Sequence, residues 1–273
     1  MPSETAEDLA FAIDLARRAG ALLTASYERL ERIDYKSKRD VVTDADYASE
    51  ALVVDAIRER FPDDAILAEE SGHHERRGKR GTGRRWVIDP LDGTVNYANG
   101  IPYYCVSIGL VTDAGPCVGV IYDPARDDLY SATIDGPACL NGEKVVASQK
   151  DSLADFVVSL AIIGRGGIAR ERRVAKEIRI SRRMGSAALS LAYVANGRFD
   201  GFVQNGGLSL WDIAAAGLIA ERAGATVSDL HGGPWWNVAK RPARLSIVAA
   251  PEAHHARLIE LLRLARTTVQ TRR

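Results

Sequence analysis

Two carboxylates, Asp89 and Asp92, follow a short apolar run, Trp86 to Ile88, that has the length of a β-strand. Pro90 has no backbone N–H to donate, so we expect this strand to end at Asp89. Segment 92–94, Asp-Gly-Thr, predicts the entry to a helix, where free N–H groups favour an anion such as phosphate. Carboxylates beside an anion site indicate a divalent cation and a phosphoryl group. The alternative is an Asp-rich turn with a helix cap.

Further acidic residues occupy the same kind of position, at the end of a predicted strand or the beginning of a predicted helix. They are Asp46, Glu69 and Asp212. Each of them also fits a helix cap or a turn when taken alone. Mg²⁺ prefers carboxylates, carbonyls and waters, and a cluster of carboxylates without a cation would be electrostatically costly. If these residues meet in space, they predict one magnesium site.

The elements that must position these residues change in character near residue 150. Before it, amphipathic helices are predicted at 8–30 and in a segment that ends before Pro62, with strands at 65–68, 86–89, 104–111, 117–122 and 128–133. Successive strands with tight turns predict an antiparallel sheet. After it, strands at 156–163, 199–203, 225–228 and 245–249 alternate with helices at 186–195, 213–223 and 253–265. We therefore predict an α+β domain at 1–150 and an α/β domain at 151–273.

The composition limits the classes of function. The chain has 273 residues with 36 basic and 36 acidic side chains, so it carries no net charge that favours nucleic acid or an anionic membrane. No stretch approaches the roughly 18 apolar residues that span a bilayer, and the first eight residues are polar, so we expect a cytoplasmic protein. The 3 cysteines show neither disulfide density nor metal-ligand spacing.

Two segments are locally basic. Residues 76–85 read as a solvated loop, with nucleic-acid contact as the alternative. Residues 164–183 hold eight basic and two acidic side chains, an excess of six positive charges. This second segment suits a solvated face or a dimer rim, with a site for a second phosphate as the alternative.

Three segments, 67–71, 86–96 and 211–216, resemble the signature segments of the inositol monophosphatase family of magnesium-dependent, lithium-sensitive sugar phosphatases. Segments 36–46 and 183–188 are also similar to that family, so the resemblance covers nearly the whole chain. It implies an α/β (α+β) fold, a layered α-β-α-β-α sandwich with an antiparallel sheet in the first half and a mixed sheet in the second. Homodimers are common in such enzymes.

The resemblance also implies roles for individual residues. The ligands of two to three Mg²⁺ ions would be Glu69, Asp89, the Leu91 carbonyl, Asp92 and Asp212. Gly93 and Thr94 would bind the phosphate, and Glu69 and Asp46 with Thr94 would orient and deprotonate the attacking water. Lys36 would supply a charge near Asp46. The reaction would be direct, in-line attack of a metal-activated water on phosphorus.

The substrate is less closely specified by the sequence. The substrate-facing residues would be Asp92, Gly93, Thr94, Gly185, Ser186, Ala187, Asn205 and Asp212. Asn205 stands where inositol-specific members have a Glu, which weakens the case for inositol 1-phosphate. We expect a small polyol or sugar phosphate. The alternatives are histidinol phosphate, fructose 1,6-bisphosphate, a nucleotide 3'-phosphate, or a non-catalytic binding module on this fold.

Overall fold

The computed structural model describes residues 4–27, 33–37, 40–74, 83–164, 166–236 and 245–263, with the backbone alone at 33–37, 40 and 41. Its α-helices are α1 (Glu4–Ser26), α2 (Asp44–Arg60), α3 (Thr94–Ala98), α4 (Gly167–Ala175), α5 (Ala187–Ala192), α6 (Leu210–Arg222) and α7 (Glu252–Leu262). In this described part of the chain, no helix has the length and hydropathy needed to cross a membrane.

The strands fall into two large sheets and one small hairpin. They are β1 (Ile33–Ser37), β2 (Asp40–Thr43), β3 (Ala65–Ala68), β4 (Gly72–His74), β5 (Arg85–Asp92), β6 (Cys105–Thr112), β7 (Gly115–Asp123), β8 (Asp128–Thr133), β9 (Cys139–Leu140), β10 (Glu143–Lys144), β11 (Val157–Ile162), β12 (Ile180–Arg182), β13 (Gly201–Leu208), β14 (Ala225–Ser228) and β15 (Leu245–Pro251). Seven of them lie within two residues of the predicted runs, namely β3, β6, β7, β8, β11, β14 and β15.

The first sheet has eight strands in the order β10-β9-β8-β7-β6-β5-β3-β4. Its neighbours are antiparallel, as expected, except that β3 and β5 run parallel. The reason is the connection, because β4 folds back on one side of β3 and β5 is added on the other side. The carboxyl ends of β3 and β5, which carry Glu69 and segment 89–92, therefore lie at the same edge of the sheet.

The second sheet has five strands in the order β12-β11-β13-β15-β14 and is mixed, as expected. Strands β12, β11 and β13 are parallel, and β15 is antiparallel to both β13 and β14. Helices α1 and α2 cover the outer face of the first sheet, α5 and α6 lie between the sheets, and α4 and α7 cover the second. These layers form the predicted α-β-α-β-α sandwich, and the domain boundary at residue 150 stays a prediction.

One predicted boundary is wrong. Strand β5 does not end at Asp89 but continues through Pro90 to Asp92. Asp89 pairs with Ser107 and Asp92 pairs with Cys105. Between these two pairs β5 advances by three residues and β6 by only two. The extra residue makes a β-bulge, and proline is tolerated there because the hydrogen-bond ladder is already interrupted. Pro90 thus shifts the register and does not end the strand.

A second difference lies in the basic segment, for which the sequence predicted no regular element after residue 163. The structure has helix α4 and edge strand β12 there. Arginine and lysine are good helix formers, and a short surface helix packed on β11 and α7 needs few apolar residues. The other basic segment, 76–85, lies largely outside the described residues.

Helix α6 packs closely on the first sheet at Gly119. A Cβ added to Gly119 would lie 2.7 Å from the Ala215 carbonyl oxygen and 3.0 Å from its Cα. Both partners are backbone atoms of a helix that contacts both sheets, so neither can move aside alone. The position therefore requires glycine.

We expect Gly119→Ala to lower the free energy of unfolding by about 1–3 kcal/mol, because the added methyl group overpacks the interface between β7 and α6. Urea denaturation followed by far-UV circular dichroism measures the change. Val146→Ala, at a side chain that is 54% exposed, is the control and should change stability by less than about 0.5 kcal/mol. Equal effects of the two variants would contradict this packing argument.

Candidate functional site

Three carboxylates from distant parts of the sequence meet at one point. Oxygen atoms of Asp89, Asp92 and Asp212 all lie within 4.8 Å of one another. Asp89 is buried, with 1% of its surface exposed. The β-bulge places Asp89 and Asp92 at the end of β5, and the first turn of α6 brings in Asp212.

Asp212 is held by the cap of its own helix. It is the third residue of α6 and forms a capping box with Ser209, whose backbone N–H donates to Asp212 Oδ2 at 2.5 Å. The Ser107 hydroxyl donates to the Trp211 carbonyl at 3.0 Å, which ties the start of α6 to β6. The helix cap and this hydrogen bond fix Asp212 opposite β5.

Asp92 is anchored to the beginning of α5. Its Oδ2 accepts hydrogen bonds from the Ser186 hydroxyl at 2.5 Å and from the Ala188 N–H at 2.6 Å. Asn96 supports the same loop, because its side-chain amide donates to the carbonyls of Tyr103 and Met184, both at 2.7 Å. These bonds connect the metal-ligand candidates to the segment predicted to face the substrate.

Glu69 follows β3 and lies beside Asp89, with a hydrogen bond between the two carboxyl groups. The turn that carries it is fixed by Glu50, which sequence reasoning missed. The Glu50 carboxylate accepts from the N–H groups of Glu70 and Ser71, both at 2.8 Å. Its spacing from Asp46, four residues along one helix, was the available signal, since such residues share a helix face.

Burial and mutual repulsion act together on this cluster. Burial raises the pKa of Asp89 well above its usual range, and the charges of Glu69, Asp92 and Asp212 raise it further. The pKa values of Asp92 and Asp212 are raised as well, also mainly by burial. Buried like charges of this kind are stabilised by a cation, and an all-oxygen donor set fits a hard divalent ion. The residues present therefore suit a metal such as Mg²⁺.

Asp46 and Thr94 lie together next to this cluster. The Thr94 hydroxyl is 3.0 Å from Asp46 Oδ1 and 3.0 Å from the Leu91 carbonyl oxygen. Asp46 Oδ2 accepts from the N–H and the hydroxyl of Thr43 at 2.8 and 2.6 Å, in the capping box of α2. Burial raises the pKa of Asp46 to about 6, although these hydrogen bonds oppose the shift. Asp46 is thus poised to exchange a proton near neutral pH.

Gly93 joins the carboxylates to α3 in a conformation that needs glycine. Its φ is +101°, in the left-handed region, and a Cβ there would lie 2.9 Å from the Tyr103 carbonyl oxygen. The predicted helix entry is present, because α3 begins at Thr94, although it has only five residues. The Lys36 backbone belongs to β1, and its side chain lies outside the described residues.

A cleft of about 290 Å³ opens beside the carboxylates. Its lining comprises Asp92, Ser159, Ala161, Arg183, Met184, Gly185, Ser186, Ala187, Ser190, Gln204, Gly207 and Asp212. The predicted substrate-facing residues Gly185, Ser186 and Ala187 are all in it. This size suits a small metabolite.

Asn205, which was predicted to face the substrate, lies outside this lining. Its side-chain amide donates to the Ile163 carbonyl at 3.2 Å. Neighbouring residues of a strand point to opposite faces, so Gln204 faces the cleft while Asn205 turns away. Gln204 is therefore a lining residue that sequence reasoning missed.

Comparison with known proteins gives one consistent result. The sequence profile of the Inositol monophosphatase family matches residues 4–266. The Nus factor SuhB of Escherichia coli strain K12 is 39% identical over 235 residues, covering 82% of this chain and 86% of that protein. Inositol-1-monophosphatase of Mesorhizobium japonicum is 38% identical over 229 residues, covering 81% and 85%. The crystal structure of extragenic suppressor protein suhB from Bartonella henselae superposes with a TM-score of 0.86 at 32% identity, covering 94% and 98%.

We expect Asp89→Asn to stabilise the metal-free protein at pH 8, because it removes one charge from a buried, mutually repelling cluster. The gain should appear as a higher melting temperature than that of the wild type, because the substituted side chain carries no charge to repel Glu69, Asp92 and Asp212. The amide oxygen of the substituted side chain can still accept the Leu91 N–H bond, which is 3.0 Å long in the native chain. Thermal melts in EDTA measure the change, with the exposed Asp113→Asn as the control.

The pH dependence of this gain has a definite sign. A carboxylate whose pKa is raised on folding contributes stability below its unfolded pKa and loses it as the pH rises through the folded value. The advantage of Asp89→Asn should therefore shrink as the pH falls toward about 4, the usual pKa of Asp. An advantage that grows on acidification would show that Asp89 is stabilised in its charged form.

Proposed function

Because this chain belongs to the inositol monophosphatase family and is a phosphatase of that type, we propose that it hydrolyses a small polyol or sugar phosphate with Mg²⁺. The observation that carries the proposal is the meeting of Asp89, Asp92 and Asp212, with carboxylate oxygens within 4.8 Å of one another. Glu69, Thr94 and Asp46 lie directly beside this cluster. The residues that would carry out the reaction are therefore close to one another, and two of them, Asp92 and Asp212, also line the cleft.

The residues that would hold two to three Mg²⁺ ions are Glu69, Asp89, the Leu91 carbonyl, Asp92 and Asp212. Bound Mg²⁺ would neutralise charge on the phosphate and lower the pKa of a water molecule. The geometry supports this assignment because Asp92 and Asp212 each give one oxygen to a helix terminus, which leaves the other oxygen for the site. The chain holds these carboxylates in place before a cation arrives.

The remaining parts of the reaction fall to Thr94 and Asp46. We assign to the Thr94 hydroxyl the role of orienting the attacking water. Asp46 Oδ1, which lies 3.0 Å from that hydroxyl, would accept the proton that the water loses. Glu69 would orient the same water. The N–H groups of Gly93 and Thr94 would bind a phosphate oxygen. Lys36 would supply a positive charge near Asp46.

The substrate would lie against Gly185, Ser186 and Ala187. These small residues leave room for a ring or a short carbon chain, which supports a polyol or sugar phosphate. Histidinol phosphate, fructose 1,6-bisphosphate and a nucleotide 3'-phosphate would use the same chemistry. A non-catalytic binding module is set aside, because the family assignment identifies a phosphatase. The homodimer implied by the resemblance stays a prediction.

Phosphate release from these esters tests the proposal. We expect turnover that requires Mg²⁺ and is inhibited by Li⁺. Because Asp46 must be ionised to accept a proton and its pKa is about 6, kcat/KM should rise with pH through about 6. Asp46→Asn should lower kcat by about 10²- to 10⁴-fold and remove that acidic limb. Full turnover in EDTA would reject the metal assignment.

A second candidate function is the one that the SuhB relatives are named for. The observation that favours it is sequence identity, which is 39% with a Nus factor and 38% with an inositol monophosphatase. Identity therefore does not separate the two functions. The candidate requires that the chain act outside the phosphatase reaction.

Complementation tests this candidate. In an Escherichia coli strain that lacks its own SuhB, we expect the wild-type chain and Asp89→Asn to restore the phenotype equally, because a Nus factor role would not use the carboxylate cluster. Expression of both proteins is checked by immunoblot. Restoration by the wild type alone would make the role dependent on hydrolysis, and restoration by neither would reject it.

A further inference from the structure

Arg183, the last residue of the basic segment, lines the same cleft as Asp92 and Asp212. Its neighbour Arg182 does not: that side chain is exposed and donates to the carbonyl of Ser181 at 3.1 Å. The two residues are adjacent in sequence and have the same charge. Their side chains point in different directions, because Arg182 belongs to edge strand β12 and Arg183 begins the loop that leads to Gly185.

The Arg183 guanidinium is held in position by two contacts. Its Nε donates to the Leu160 carbonyl at 3.3 Å, and its Nη2 donates to the Glu171 carboxylate. Glu171 is itself fixed, because the same oxygen accepts the Ile162 N–H at 2.7 Å. A helix, a strand and a loop thus converge on one arginine, which lowers the entropy cost of binding a ligand there.

The guanidinium keeps donors for a ligand. Among the described residues, nothing accepts a hydrogen bond from Nη1, and 60% of the Arg183 side chain is exposed. The neutral side chains of Ser159 and Gln204 line the cleft as well. Nη1 keeps both of its N–H groups, so the guanidinium can still donate to a phosphate or carboxylate in the cleft.

We propose that Arg183 forms a subsite for a second anionic group on the substrate, so that the preferred ester carries a phosphate or carboxylate besides the phosphate that is removed. This inference rests on the proposed function, which places the scissile phosphate at Asp92 and Asp212. The cleft lining then combines carboxylates that require cations with a guanidinium that, beside its pairing with Glu171, still has N–H groups for an anion. A cationic substrate such as histidinol phosphate is disfavoured by the same charge.

A matched pair of sugars tests the subsite. Fructose 1,6-bisphosphate and fructose 1-phosphate share one sugar and differ by the second phosphate. Arg183→Ala should raise KM for the bisphosphate about tenfold or more with little change in kcat, the effect of losing roughly 1.4 kcal/mol of binding. KM for the monophosphate should change less than twofold. Arg182→Ala is the control and should alter neither, and Arg183→Lys should restore only part of the affinity because it lacks the planar fork.

Isothermal titration of both sugars in Mg²⁺, with each variant made in the slow Asp46→Asn background so that the sugars are not hydrolysed, gives a second readout that does not need turnover. If no ester is hydrolysed, the proposed function fails, and an Arg183-dependent preference for binding the bisphosphate would still support the subsite. The subsite is overturned if Arg183→Ala weakens both sugars equally, if it weakens neither, or if the wild type favours the monophosphate. Circular dichroism spectra identify any variant that fails to fold, and Arg183→Lys then decides.

Discussion

The structure depends on holding Asp89, Asp92 and Asp212 together against their mutual repulsion. Their oxygens approach within 4.8 Å, and burial raises the pKa of all three. Such an arrangement persists only because the surrounding backbone over-determines it. The bulge in β5 supplies two of the carboxylates from one strand, and the start of α6 supplies the third from across the sheet interface. The carboxylate cluster therefore lowers the stability of the metal-free protein, and a bound cation would offset that repulsion.

Helix termini hold several of these mutually repelling carboxylates in place. Asp46 and Asp212 are third residues of their helices and sit in capping boxes, and Asp92 accepts hydrogen bonds at the beginning of α5. In each case one oxygen satisfies helix donors that would otherwise be unpaired. The other oxygen remains for chemistry. Helix capping and participation in the site are therefore not competing explanations, because one carboxylate does both.

The cleft residues other than the carboxylates are positioned in a different way, by strand register and by contacts with neighbouring elements. In β13, strand alternation turns Gln204 into the cleft and Asn205 away from it. Contacts through Glu171 to β11 hold Arg183 at the cleft, while the adjacent Arg182 is not part of its lining. These choices depend on a single residue of register. The lining of the cleft can therefore change without any change in the carboxylate cluster.

The sequence by itself determined most of the longer strand and helix runs, the layered fold class and the acidic residues of the candidate site, because apolar periodicity, capping residues and family-like segments are local features. It did not predict helix α4 or the short strands, which have too few apolar residues for a periodic pattern. Only the tertiary structure decided that β3 and β5 are parallel, that Pro90 lies in a bulge, that Glu50 fixes the turn beside Glu69, and that Arg183 enters the cleft. These facts depend on strand order, on one residue of register and on contacts between distant segments. Spacing along the chain does not by itself fix any of them.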